Sequence, residues 1–133
     1  MLYLLAIYES PEAFDARTNE DRADYMGAWQ AYADALRKAG VMAGGKGLEA
    51  PSTATTIRFR GDERTVQDGP YADTKEQLGG FFIVDVPDLD AALEWAARCP
   101  VTLGGAIEVR PALGACQAKA DGPVAAEPAL ASA

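Results

Sequence analysis

Apolar and polar positions follow two different periods along this chain, and the periods separate strands from helices. Alternating or uninterrupted apolar residues predict strands. These strands are expected at residues 1–9, 41–48, 54–60, 64–67, 81–86 and 106–110. Apolar residues spaced by three and four predict helices from about Asn19 to Ala39 and from about Leu89 to Arg98. Residues 10–18 are expected to form a connection, because Ser10-Pro11 interrupts the pattern.

Both predicted helices carry terminal signals. Thr18 is expected to cap the first helix and Gly40 to end it. Asp88 is expected to cap the second helix. In the first helix, Trp29 and Tyr32 lie on the apolar stripe, so they most simply belong to the core. Stacking of a ligand on either ring is the alternative.

The strands predicted at 1–9 and 81–86 are apolar on both faces, so both faces need a cover. Two helices can cover only one face of a sheet, and the pattern offers no third helix. A second copy of the chain, packed sheet against sheet about a two-fold axis, would cover the other face. The sequence therefore predicts a homodimer.

The order of elements, β-α-β, hairpin, β-α-β, is typical of a ferredoxin-like split βαβ fold with an added β-hairpin. The predicted class is therefore α+β, with an antiparallel sheet and two helices on one of its faces. The 133 residues suffice for one domain, assigned to residues 1–111. Residues 112–133 are rich in Ala and Pro and are expected to be a low-complexity tail.

Charge restricts the partners of this protein. The net charge of −8 repels nucleic acid and anionic membranes, and neither is expected as a partner. The apolar N-terminus is short and has no basic leader, and no segment reaches the length of a membrane span, so a soluble cytoplasmic protein is expected. Without His, and with Cys99 and Cys116 far apart, the sequence predicts neither a metal site nor a cofactor.

Residues 68–80 combine turn formers and charges directly before the strand at 81–86. On composition alone, a solvated polar connection is favoured. The alternative is that Asp68, Lys75 and Glu76 line a pocket at a sheet edge, where loops on a rigid sheet often place sites. Arg58, with its neighbours on the hairpin, could form a cationic rim for an anion, or simply pair with nearby carboxylates.

The same stretch resembles the Asp-Gly-Pro-Phe signature of the YCII-related (DGPF-domain) family. It reads Asp68-Gly69-Pro70-Tyr71-Ala72-Asp73-Thr74-Lys75-Glu76-Gln77-Leu78-Gly79-Gly80. Tyr71 stands in place of the Phe, and Asp73 in place of a Glu. Residues 47–56, and 94–100 together with 107–111, resemble two further parts of the family pattern. The resemblance covers roughly residues 1–111 and implies a dimeric ferredoxin-like fold of the α+β barrel type.

The activity that this resemblance implies is largely unassigned. A His–Asp pair is the suspected catalytic feature of such domains, but a chain without His cannot contain it. Asp68 corresponds to the Asp of the signature. The first hypothesis is a metal-free enzyme or small-molecule-binding protein, with Asp68 as acid/base, Lys75 and Glu76 setting its charge state, and Arg58 and Tyr71 contacting the ligand.

The alternative hypothesis is a regulatory module that binds a protein. Members of the resembled family are often encoded beside alternative sigma factors, which implies a partner linked to transcription. An acidic surface could meet a basic one there.

Overall fold

Nine helices and strands follow one another in a computed structural model that describes residues 1–102 and 104–113. They are β1 (Leu2–Glu9), α1 (Pro11–Asp15), α2 (Arg22–Lys38), β2 (Met42–Gly47), β3 (Thr55–Arg60), β4 (Glu63–Asp68), β5 (Gln77–Asp85), α3 (Leu89–Ala97) and β6 (Ala106–Pro111). A single 3₁₀ turn, Pro51–Thr53, separates β2 from β3.

Four of the strands form one antiparallel sheet in the order β2-β5-β1-β6. Among residues 1–102 and 104–113, strands β3 and β4 pair only with each other and form a separate two-stranded hairpin. This arrangement confirms the predicted α+β class, with an antiparallel ferredoxin-like sheet and an added hairpin.

The core lies between the sheet and the two longer helices. Its fully buried side chains are Leu5 of β1, Leu36 of α2 and Val84 of β5, and Ala92 contributes from α3. The Tyr32 hydroxyl in α2 donates a 2.7 Å hydrogen bond to the carbonyl of Trp95 in α3, which ties the helices together. None of the helices in the described ranges is long and apolar enough to cross a membrane.

The opposite face of the sheet is also apolar. Leu4 lies directly across from Ile83, and Ala6 from Phe81, on the face turned away from the core. Within residues 1–102 and 104–113, the buried core contacts of α2 and α3 all lie on the other side. The strands at 1–9 and 81–86 are thus apolar on both faces, as the sequence pattern indicates.

Residues 10–18 do not form only a connection, and this part of the prediction is wrong. Ser10 accepts a 3.3 Å hydrogen bond from the backbone N–H of Ala13, and Pro11 occupies the first turn of α1. Proline is compatible with that position, because the first N–H groups of a helix have no intrahelical partner. Thr18 does not cap α2, since Asp21 occupies the N-cap position.

Other terminal signals are found as expected. Asp88 caps α3 by accepting a 2.9 Å hydrogen bond from the Ala91 N–H, and Gly40 follows α2 with a φ of 75°. Strand β5 begins at Gln77, four residues before the predicted start at Phe81. The predicted tail from residue 114 onward, with Cys116, lies outside the described residues.

Candidate functional site

A buried carboxylate marks the end of strand β1. Tyr3, Leu5 and Ile7 point from this strand into the core, and the same alternation turns Glu9 inward. Glu9 is only 3% exposed. Its Oε2 accepts a 2.5 Å hydrogen bond from the Tyr25 hydroxyl, and its Oε1 lies 3.3 Å from Arg17 Nη2. A buried charge needs such partners, because burial without them is costly.

Arg17 connects this carboxylate to the backbone of two strands. Its Nη2 donates a 3.0 Å hydrogen bond to the carbonyl of Gly79 in β5, and its Nη1 donates to the carbonyl of Leu48, just after β2. Its guanidinium also lies 4.7 Å from the centre of the Phe14 ring, at the end of α1. Helix α1 and the turn after it therefore position the cation against the sheet.

Gly79 provides the space for this ion pair. The pairing of β1 with β5 shifts by one residue here, because Ile7 lies across from Gly80 and Tyr8 from Leu78, which leaves Gly79 in a β-bulge. A Cβ atom on Gly79 would collide with Glu9 Oε1 and lie 3.1 Å from Arg17 Nη2. Gly79, within β5, thus has a direct role at the site.

Tyr25 is the third member of the cluster. Burial raises the pKa of its hydroxyl to about 12, and the hydrogen bond to the Glu9 carboxylate acts in the same direction. Tyr25 therefore stays protonated at neutral pH and donates to Glu9. The name "Glu9 cluster" is used below for Glu9, Arg17 and Tyr25.

The Glu9 cluster lines an open groove of about 1040 Å³ between α2 and the β2–β5 edge of the sheet. Met26, Trp29 and Phe82 contribute apolar walls, and Met26 is 45% exposed there. The rings of Trp29 and Phe82 stack with centroids 6.4 Å apart. Trp29 packs against the core and also lines the groove. A role in the core is therefore compatible with stacking of a ligand on its ring.

A second groove, of about 770 Å³, lies on the other side of Tyr25. Lys75 and Glu76 line it, together with Ser10 and residues of α1 and α2. Two of the ligand-binding candidates predicted from the sequence, Lys75 and Glu76, therefore share one groove with Tyr25 of the Glu9 cluster.

The other site candidates predicted from the sequence, Asp68, Arg58 and Tyr71, lie outside both grooves. Asp68 ends strand β4 across from Thr55, is exposed, and lines neither groove. The guanidinium of Arg58 lies 5.2 Å from the centre of the Tyr71 ring, so these two do contact each other. The structure does not bring Asp68 together with Lys75 and Glu76 in one groove.

Sequence reasoning missed all three members of the Glu9 cluster. Glu9 had a readable signal, because it continues the inward series of Tyr3, Leu5 and Ile7. A carboxylate at a core-facing strand position needs a partner, so this pattern predicts a buried ion pair or hydrogen bond at Glu9. Arg17 had no comparable signal, since the segment that carries it was predicted to be a connection.

No group of three or more His, Cys, Asp or Glu side chains in residues 1–102 and 104–113 is arranged to hold a metal ion. The Glu9 carboxylate instead has an arginine and a tyrosine as its partners.

The fold and site define an α+β domain with a lateral groove that ends at a buried carboxylate. The family model of the YCII-related domain matches residues 1–113, and the chain belongs to this family. An uncharacterized protein, R00369, of Rhizobium meliloti (strain 1021) is 35% identical over 115 residues, which cover 84% of this chain and 91% of that protein.

A solved structure was also found to be similar. It is 5-chloro-2-hydroxyhydroquinone dehydrochlorinase (TftG) from Burkholderia phenoliruptrix AC1100, in complex with 2,5-dihydroxybenzoquinone. The match has 18% sequence identity and a TM-score of 0.43, and it covers 81% of this chain and 91% of that one.

Proposed function

We propose that this protein binds a small molecule in the larger groove, with the Glu9 cluster as the reactive end of the site. The observation that carries the proposal is the buried Glu9 carboxylate at a groove wall, held by Arg17 and Tyr25. Such an ion pair is weak evidence for a stabilising role, because desolvation offsets the attraction. Partnered titratable groups in a cleft are instead a frequent mark of a functional site.

The same geometry supports metal-free acid–base chemistry. The 2.5 Å contact lets the Tyr25 proton move to Glu9 Oε2 while the Tyr25 oxygen takes a proton from a bound ligand. The reverse transfer, to a different atom of the ligand, returns both residues to their starting state. This cycle isomerises the ligand and needs no co-reactant. We therefore propose Glu9 as the acid/base of this groove. An acid/base role of Asp68 stays a prediction from the sequence.

A groove-filling variant tests the proposal. Met26→Trp is expected to abolish the rise in melting temperature that binding compounds cause, because the larger side chain occupies the groove. Leu93→Trp is the matched control, since Leu93 is exposed to a similar extent, 46%, but lies on α3 and lines neither groove. The measurement is a thermal-shift screen of a library of small acids, amines, phosphates and neutral compounds.

The proposal requires compounds that stabilise the wild type and Leu93→Trp but not Met26→Trp. A library without any stabilising compound would contradict it. Equal shifts in all three proteins would contradict it as well, because binding would then lie outside the groove.

We further propose that the protein acts as a homodimer. Leu4, Ile83 and Phe81 give the sheet an apolar face that α2 and α3 do not cover. The same apolar face of a second copy would cover it, sheet against sheet.

Ile83→Lys is expected to convert the dimer to a monomer, because a charge at the centre of an apolar interface lacks a partner. Sedimentation velocity at micromolar concentration measures the change, and far-UV circular dichroism checks the fold. Val66→Lys, on the hairpin and 67% exposed, is the control and should leave the dimer intact. A wild type that sediments as a monomer would refute the homodimer.

Lys75 and Glu76 are proposed to contact a ligand in the smaller groove, and Arg58 and Tyr71 to offer a cation–π pair beside the signature. Binding of a transcription-related protein remains a prediction from the family resemblance.

A further inference from the structure

We infer that the larger groove selects a small planar or aromatic molecule that carries negative charge, with Arg22 as the partner of the anionic group. This inference rests on the proposed function, because it names the class of ligand for the same groove. Three observations carry it: the charge of the groove, its apolar walls and the surroundings of Arg22.

The first observation is a contrast in charge between the two grooves. The larger one is lined by four cationic side chains, Arg17, Arg22, Arg37 and Lys46. Three carboxylates oppose them, Glu9, Asp15 and Glu49. The smaller groove has one cation, Lys75, against four carboxylates, Glu12, Asp21, Asp24 and Glu76.

This contrast matters because the whole chain carries a net charge of −8. An anion is repelled by most of such a surface and by the smaller groove. The larger groove is a local exception, and a concave site with low-dielectric walls concentrates the field of its charges. Its lining therefore favours an anion more than the lining of the smaller groove does.

The second observation concerns the walls. Four aromatic residues line the groove on the core side of the sheet: Phe14, Tyr25, Trp29 and Phe82. The exposed Met26 adds a flexible apolar surface that adapts to a bound ring. Flat apolar ligands gain both burial and stacking against such walls.

The third observation distinguishes Arg22 from the other two arginines of the groove, Arg17 and Arg37. Arg17 is bound to Glu9, and Arg37 lies 3.0 Å from the carboxylate of Asp34. Arg22 donates a 3.2 Å hydrogen bond to the backbone carbonyl of Arg17, and no carboxylate in residues 1–102 and 104–113 lies within ion-pair distance of it.

The position of Arg22 also fits this role. It is the first residue of α2 and precedes Tyr25 by one turn, so it lies on the same side of the helix as the hydroxyl that reaches Glu9. A ligand anion bound at Arg22 would place the body of the ligand along the aromatic walls, next to the Glu9 cluster.

Three probes with one aromatic body separate the ligand classes. They are 2-naphthoate, neutral 2-naphthol and the cation 2-naphthylmethylammonium, titrated by calorimetry at pH 7 into the full-length protein. The anion is expected to bind about tenfold more tightly than the other two, because a charge-assisted hydrogen bond to Arg22 adds to the same apolar contacts. Its affinity should fall as the salt concentration rises.

Matched variants locate the anion. Arg22→Gln is expected to weaken the binding of 2-naphthoate about tenfold and to leave 2-naphthol unchanged. Arg98→Gln removes an exposed cation at the end of α3 instead, outside both grooves, and should leave all three affinities as in the wild type.

The other outcomes overturn the inference. Equal or tighter binding of the neutral or cationic probe would refute selection for negative charge, as would absence of 2-naphthoate binding. An unchanged affinity in Arg22→Gln would refute the role of Arg22. If a probe of the wrong charge binds and Met26→Trp abolishes its binding, the groove remains a ligand site and only the class of ligand is wrong. If no probe and no library compound binds, the proposed function fails too.

Discussion

Replacement of Glu9 by alanine is expected to lower the free energy of unfolding by about 3–5 kcal/mol, the range found when one member of a buried ion pair is removed. Glu9 is 3% exposed and Arg17 is 21% exposed, so the guanidinium left behind could not be fully hydrated. The Tyr25 hydroxyl would lose its acceptor as well. Urea unfolding followed by circular dichroism measures the change.

Two further variants show whether the ion pair is the cause. Asp34→Ala breaks an exposed pair with Arg37 and should cost less than about 1 kcal/mol. The double variant Glu9→Leu with Arg17→Met removes both charges and should be clearly more stable than Glu9→Ala alone. A double variant as unstable as Glu9→Ala would show that the lost packing, not the unpaired charge, decides the result.

Replacement of Gly79 by alanine is expected to lower the free energy of unfolding by about 1–3 kcal/mol and to disrupt ligand binding. The added methyl group would occupy the place of Glu9 Oε1, so the carboxylate must move. Movement of Glu9 would lengthen its contacts with both Arg17 and Tyr25. Unfolding experiments measure the stability, and the thermal-shift screen described above measures the binding.

Gly47→Ala is the matched control for this substitution. Gly47 lies on β2, near the groove, but a Cβ atom there would meet no atom within 4 Å. Both stability and binding should therefore stay close to the wild type. If Gly79→Ala behaves like Gly47→Ala, the bulge does not hold the Glu9 cluster in place.

The periodicity of the chain was sufficient to predict the main sheet and the two longer helices. Strands β1 and β5 are the best examples, because their apolar residues on both faces indicate central strands of a sheet. Asp88 correctly predicted the start of α3, because its side chain caps the helix. Gly40 correctly predicted the end of α2, because it adopts a positive φ there. Such features depend on neighbours in the sequence and can be predicted from it.

The Glu9 cluster could not be predicted in the same way. Its members come from the end of β1, the turn after α1 and the first part of α2, and only the fold brings them together. Ser10-Pro11 begins α1, whereas the sequence pattern predicted a connection there. Without this helix the position of Arg17 could not be predicted. The signature stretch drew attention to Asp68, while the residue of that stretch at the cluster is Gly79, which contributes space rather than a reactive group.

The hairpin of β3 and β4 has a consequence for solubility. Within the described part of the chain these strands form a sheet of their own, so each has an open edge there. Three exposed apolar side chains lie on this hairpin: Ile57, Phe59 and Val66. Open edges of this kind invite pairing between copies and aggregation. Arg58 and Arg60 alternate with the apolar residues along β3, so stacking hairpins would bring like charges together. We expect this repulsion between the arginines of neighbouring copies to oppose pairing of the hairpins.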